Sequence, residues 1–245
     1  MGVPIIGCQC VVCLSTSPYD QRLRPSVLLK VRGKQFLIDI GPDYRTQALR
    51  YQINTLDGVL LTHTHYDHIA GLDELRIYAF RKKKGVPCLM SKETLEELKV
   101  RYHYLFPSDE SGDLYKAKLS FQELEGKEGE TSFEGLQVRY FSYTQMGMSV
   151  TGFRFGNLAY VTDIFEYDVG IFEQLEGVDT LIISAIGWEQ SKAHLSMEEV
   201  MEFAKKAGVK KTYLTHLSHE VHYEKTLKKL PRGFALAYDG MEISL

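Results

Sequence analysis

The chain has 245 residues, of which 44% are hydrophobic and 25% charged, with a formal net charge of -3. This composition belongs to ordinary globular proteins, so a fibrous repeat and a disordered chain are excluded, and broad binding to a polyanion is disfavoured. No apolar run approaches membrane-spanning length and the N-terminus lacks the order of a signal peptide, so a cytoplasmic protein that avoids membranes is expected.

In chain order, the first feature is GCQCVVC, residues 7–13, which places Cys8, Cys10 and Cys13 close together. A reducing compartment makes these thiols metal ligands rather than disulfide partners. Strand patterns follow at 26–31 and 35–40, and the turn residues Arg32, Gly33 and Lys34 between them predict a hairpin. A helical pattern covers about 44–52, and GVLLT at 58–62 is a buried strand. The basic run RKKKG at 81–85 is read as a solvated helix end, and Cys88 in PCLM as a small buried hydrophobe. After a helix over about 92–102, the polar stretch from about 104 to 118 predicts a loop or small insertion. His103, between two tyrosines, has no motif around it.

Further strands are expected at 136–143, 152–156, 157–163, 179–184, 210–215 and 234–239, with a helix at 169–175. The clearest helix is 197–207, where Ser196 and Glu199 form a capping box and Val200, Phe203, Ala204 and Ala207 form an apolar stripe. Hairpins come early and strand-helix alternation later. The expectation is an α/β chain forming one domain over 1–245, with stacked sheets covered by helices.

The strongest chemical signal is LLTHTHYDHIAG, residues 60–71. An apolar strand delivers His63, His65, Asp67 and His68 into a turn. Alternation at the strand end points His63 and His65 the same way, so both imidazoles can bind one ion while Asp67 and His68 reach a second.

This H-x-H-x-D-H run resembles the signature of the metallo-β-lactamase fold, a four-layer αβ/βα sandwich of hydrolases with a one- or two-metal site. Asp39 in LIDIG, Asp163 in AYVTD and His216 in YLTHLSH stand where that family has its remaining motifs. The resemblance implies that His63 and His65 bind a first metal, that Asp67, His68 and His216 bind a second, and that Asp163 bridges them. It implies one or two Zn2+ or Mn2+ ions there, and for Asp39 a supporting role through hydrogen bonds. GCQCVVC and THLSH (215–219) resemble more closely the subgroup containing the phosphoribosyl 1,2-cyclic phosphate phosphodiesterase. In that subgroup three thiolates and the second histidine of the pair hold a separate structural zinc, which makes His219 the fourth ligand; His222 is its competitor. The resemblance also makes His194, in KAHLS, the candidate proton donor.

Three positions depart from the pattern. Gln145 stands where relatives supply a further histidine to the first metal, and its amide oxygen is a weak ligand beside imidazole. Ser184 and Ser191 stand where relatives often show Asp and His. The first N-terminal strand and its glycine-rich turn are absent, which is expected to leave a sheet edge unpaired. The leading expectation is a metal-dependent phosphodiesterase for a small (cyclic) phosphate ester, with Asp67 orienting the attacking water and His194 assisting the leaving group. Arg45 is a candidate for contacting the phosphate. The alternatives are a tRNA 3′-processing-type ribonuclease, disfavoured because no segment resembles an RNA-holding arm, and a non-catalytic accessory protein with a degenerate metal site. A homodimer stays open.

Overall fold

The computed structural model describes residues 2–106 and 119–245, so most of the polar stretch expected as a loop, 107–118, lies outside the described residues. The chain divides into two compact units, Pro25–Val138 and Met1–Arg24 with Arg139–Leu245. Among the described residues no helix is long and apolar enough to cross a membrane.

The Pro25–Val138 unit begins with β1 (Val27–Val31) and β2 (Lys34–Ile38), the expected antiparallel hairpin. Then come α1 (Tyr44–Arg50), β3 (Gly58–Leu60), α2 (Tyr66–Ile69), α3 (Arg76–Lys82), β4 (Val86–Ser91), α4 (Lys92–Arg101) and β5 (Leu119–Leu124). The sheet order is β1-β2-β3-β4-β5, and every pairing after the hairpin is parallel. Strand-helix alternation therefore starts at β2, earlier than the sequence suggested. Parallel strands buried on both faces lose the polar alternation that marks a strand. β4 shows this: its Cys88 is fully buried in the core with Val59, Leu61 and Met90. Among the described residues β1 is the first named strand, and it lies at the sheet edge. The expected helix at 44–52 is shorter, ending at Arg50, and the basic run does fall at a helix end, α3.

β6 (Glu128–Phe133) lies in the same unit, and β7 (Leu136–Gln145) begins there and ends in the other. In the second unit β7, β8 (Met148–Phe155) and β9 (Leu158–Val161) form an antiparallel meander. It continues through α5 (Ile171–Gln174), β10 (Thr180–Ser184), α6 (Met197–Ala207), β11 (Lys211–Thr215), α7 (Tyr223–Leu227) and β12 (Phe234–Leu236), with β9 to β12 parallel. α6 carries the predicted capping box: the Glu199 carboxylate accepts from the Ser196 N–H at 2.7 Å, and the Ser196 hydroxyl accepts from the Glu199 N–H at 3.3 Å. Its Val200, Phe203 and Ala204 are buried with Leu181 and Ile183 of β10, and burying a side chain such as Phe203 contributes about 1.5–3 kcal/mol. This packing anchors the parallel strands whose C-terminal ends carry the chemistry.

Candidate metal centres

In the Pro25–Val138 unit the donors follow β3. His63 and His68 are fully buried, whereas His65 and Asp67 are partly exposed. His63 Nε2 lies 3.0 Å from His65 Nδ1, so the two imidazoles converge as the alternation predicts. Asp39 holds this arrangement. Its carboxylate accepts from the Thr62 N–H at 2.9 Å and from the Thr62 hydroxyl at 2.8 Å, and it pairs with His68 Nδ1 at 2.7 Å. The Thr62 hydroxyl gives its proton to Asp39, so the 2.9 Å contact with His63 Nδ1 has the imidazole donating. Both His63 and His68 therefore carry their proton on Nδ1 and present Nε2 as the basic nitrogen that a cation needs. Asp39 itself adopts φ +60, a left-handed conformation typical of functional loops.

A second support was not legible in the sequence. Thr64, between the two histidines, donates its hydroxyl to the Glu97 carboxylate, and its carbonyl accepts from the Arg101 guanidinium at 2.7 Å. Glu97 and Arg101 pair at 2.9 Å on α4, one turn apart, so this helix braces the loop. Gly71 closes the turn where a Cβ would strike the Gly41 carbonyl. Arg45 is exposed on α1, and His103 lies in a short 3-10 turn, also exposed.

In the second unit Asp163 follows β9 and His216 follows β11, both in left-handed conformations (φ +52 and +59). Asp163 Oδ1 lies 3.2 Å from His194 Nδ1 and 3.3 Å from His216 Nε2. Gln145, at the end of β7 and only 3% exposed, turns its amide nitrogen to the Ala193 carbonyl at 3.0 Å and to the His194 ring. Ser191 accepts from the Ala193 N–H at 3.1 Å and so shapes the turn before His194, while Ser184 is buried at the end of β10.

The same unit holds the thiol cluster. His219 Nδ1 is 3.3, 3.5 and 3.7 Å from the Sγ atoms of Cys8, Cys10 and Cys13. A tetrahedral zinc with ordinary Zn–S and Zn–N bonds separates its sulfur and nitrogen ligands by roughly 3.6 Å, so the four side chains fit that ion. The Cys13 N–H, donating to Cys10 Sγ, is the largest influence on the Cys10 thiol, which is lowered to about 6 and favours the thiolate that a metal requires. His222 lies at the start of α7 and is not among these donors. Buried Arg22 pins the loop by donating to the Ser218 carbonyl at 3.0 Å and the Val221 carbonyl at 2.6 Å, and it pairs with Asp20 at 3.1 Å. Neither Arg22 nor Asp20 belongs to a motif.

A profile of the beta-lactamase superfamily domain matches residues 34–217, which run through both units. A crystal structure described as a new diphosphatase from the PhnP family is 35% identical, with a TM-score of 0.89 over 98% of this chain and 91% of that one. Ribonuclease Z of Methanopyrus kandleri is 27% identical over 92% of this chain and 93% of its own. An octanoyltransferase of Porphyromonas gingivalis is 30% identical over 98% of this chain but only 49% of its own, so the chain spans about half the length of that relative. The chain thus belongs to the beta-lactamase superfamily and has the metallo-β-lactamase fold.

Proposed function

We propose that the chain is a divalent-metal-dependent phosphoric diester hydrolase acting on a small, cyclic phosphate ester. The observation that carries this reading is the nature of the donors after β3, β9 and β11. They are imidazoles and carboxylates, borderline-to-hard groups that suit Zn2+ or Mn2+, and Asp39 and Thr62 orient two of them as ligands. The relative described as a diphosphatase and the one named ribonuclease Z both bear names of enzymes that act at phosphorus, which supports phosphoryl chemistry.

His63, His65, Asp67 and His68 in one unit, and Asp163 and His216 in the other, are the residues that would hold cations. When bound, such a cation supplies Lewis acidity and brings the pKa of water toward ~7. The partly exposed Asp67 orients the attacking water. Buried Asp39 and Thr62 keep the imidazoles in the ligating tautomer, so no reorganisation is needed when substrate arrives. Cys8, Cys10, Cys13 and His219 would hold a separate zinc with no open position, a structural role. Four unpaired cysteines support a reducing, cytoplasmic setting.

The test measures hydrolysis of bis(p-nitrophenyl) phosphate, a ribose cyclic phosphate and a tRNA precursor by protein loaded with zinc or manganese. Turnover of the small diesters, lost in His65→Ala, is expected. Preference for the tRNA precursor would favour the ribonuclease reading, and no turnover despite full loading would remove the phosphodiesterase assignment.

A further inference from the structure

His194 is expected from resemblance to act on the leaving group, yet its surroundings have the spacing of a ligand set. His194 Nδ1 and His216 Nε2 lie 3.2 and 3.3 Å from the same oxygen of Asp163, and the donor atoms of all three residues fall within 4.8 Å of one another. The molecule contains its own standard for a buried histidine-carboxylate hydrogen bond: Asp39 to His68, at 2.7 Å. Charge-assisted bonds of this type span about 2.7–2.9 Å, so both contacts to Asp163 are too long for that class. Nitrogen and oxygen ligands bound about 2.0–2.2 Å from one tetrahedral ion sit roughly 3.3 Å apart. The contacts to Asp163 match that edge.

Gln145 supplies the reason His194 is held there. Its amide nitrogen is 3.2 Å from His194 Nδ1 and 3.3 Å from His194 Nε2. The in-plane lone pairs of an imidazole diverge, so one donor cannot lie in line with both nitrogens. Near-equal distances place the amide across the ring face. The same nitrogen is 3.0 Å from the Ala193 carbonyl, which ties the covering group to the backbone beside the ring. Gln145 thus covers the face of His194 and leaves its Nδ1 edge toward Asp163.

We propose that His194 is a cation ligand through Nδ1, forming with Asp163 and His216 a three-donor face, and that Gln145 is its positioning residue. Gln145 does not itself ligate; it holds in place a residue that does, beside His216. This rests on the metal-dependent reading above.

The test is a Co2+ titration followed by calorimetry and visible absorption, on wild type, His194→Ala, His194→Gln, Gln145→Ala and the double variant His194→Ala/Gln145→His. Cobalt in the thiolate cluster gives a separate sulfur charge-transfer band, which reports that each variant has kept its fold. Both His194 variants are expected to lose at least about 10-fold in affinity for the non-thiolate cobalt, with altered visible bands; Gln145→Ala loses less, and the double variant recovers affinity. If the His194 variants bind cobalt with wild-type affinity and spectrum, His194 is no ligand and the proposal is overturned, whatever the activity shows. If wild type takes up no cobalt beyond the thiolate cluster, the metal-dependent hydrolase reading falls as well.

Discussion

The second unit contains two donor clusters whose residues His216 and His219 are three positions apart, and the function proposed above gives them opposite tasks. The thiol cluster draws three soft ligands from one short loop and closes the set with one imidazole. Arg22 then fastens the two loops by backbone carbonyls. Asp163 and His216 instead follow β9 and β11, His194 lies in the loop before α6, and the three offer nitrogen and oxygen only, a set that leaves coordination positions for water or substrate. A saturated centre stabilises and an unsaturated one reacts. Altering the first is therefore expected to lower stability, and altering the second to lower rate.

The largest effect expected is on rate. Asp163→Asn should reduce kcat/KM by about 10³-fold or more while the melting temperature moves only a few degrees, as steady-state assays and calorimetry would show. A collapse of the melting temperature with little loss of rate would break the division. Cys10→Ser tests the other side. Losing a thiolate from a closed zinc site should cost at least about 3 kcal/mol, which for a chain of this size lowers the melting temperature by roughly 6–12 °C. Asp39→Asn disturbs the tautomers of His63 and His68 without removing a ligand, and should lower metal affinity or activity by about 10- to 100-fold. Glu97→Gln is the mildest, since the Thr64 hydroxyl keeps an acceptor; a loss of roughly 2- to 5-fold in kcat/KM is expected, near the energy of one ordinary hydrogen bond.

The histidine loop was legible in the sequence because its donors are contiguous and follow a strand, so a period of two and a motif suffice to place them. The imidazole beside the thiol cluster was legible only through a paired motif more than two hundred residues away, and the structure places His219 rather than His222 among the thiols. What pattern could not reach are contacts made across the fold. Thr62 lies inside the quoted motif, yet nothing local reveals that its hydroxyl links His63 to Asp39. Nothing in the sequence marks Glu97, Arg101 or Arg22 until their partners are seen: the Thr64 hydroxyl, the Thr64 carbonyl and the Ser218 carbonyl. The strands β4, β5 and β6 were missed for a different reason. β4 contains Pro87 and no alternation, and β5 and β6 are polar at half or more of their positions, so composition does not separate them from loop.

Stability and chemistry are thus assigned to separate metal centres. Under graded chelation, with metal content per chain and hydrolysis of bis(p-nitrophenyl) phosphate measured on the same samples, activity is expected to disappear while one zinc per chain and the native circular dichroism remain. Zn2+ or Mn2+ added back is expected to restore turnover. Undiminished activity in a protein holding only that one zinc, or activity lost only when the last zinc and the fold go together, would contradict that assignment.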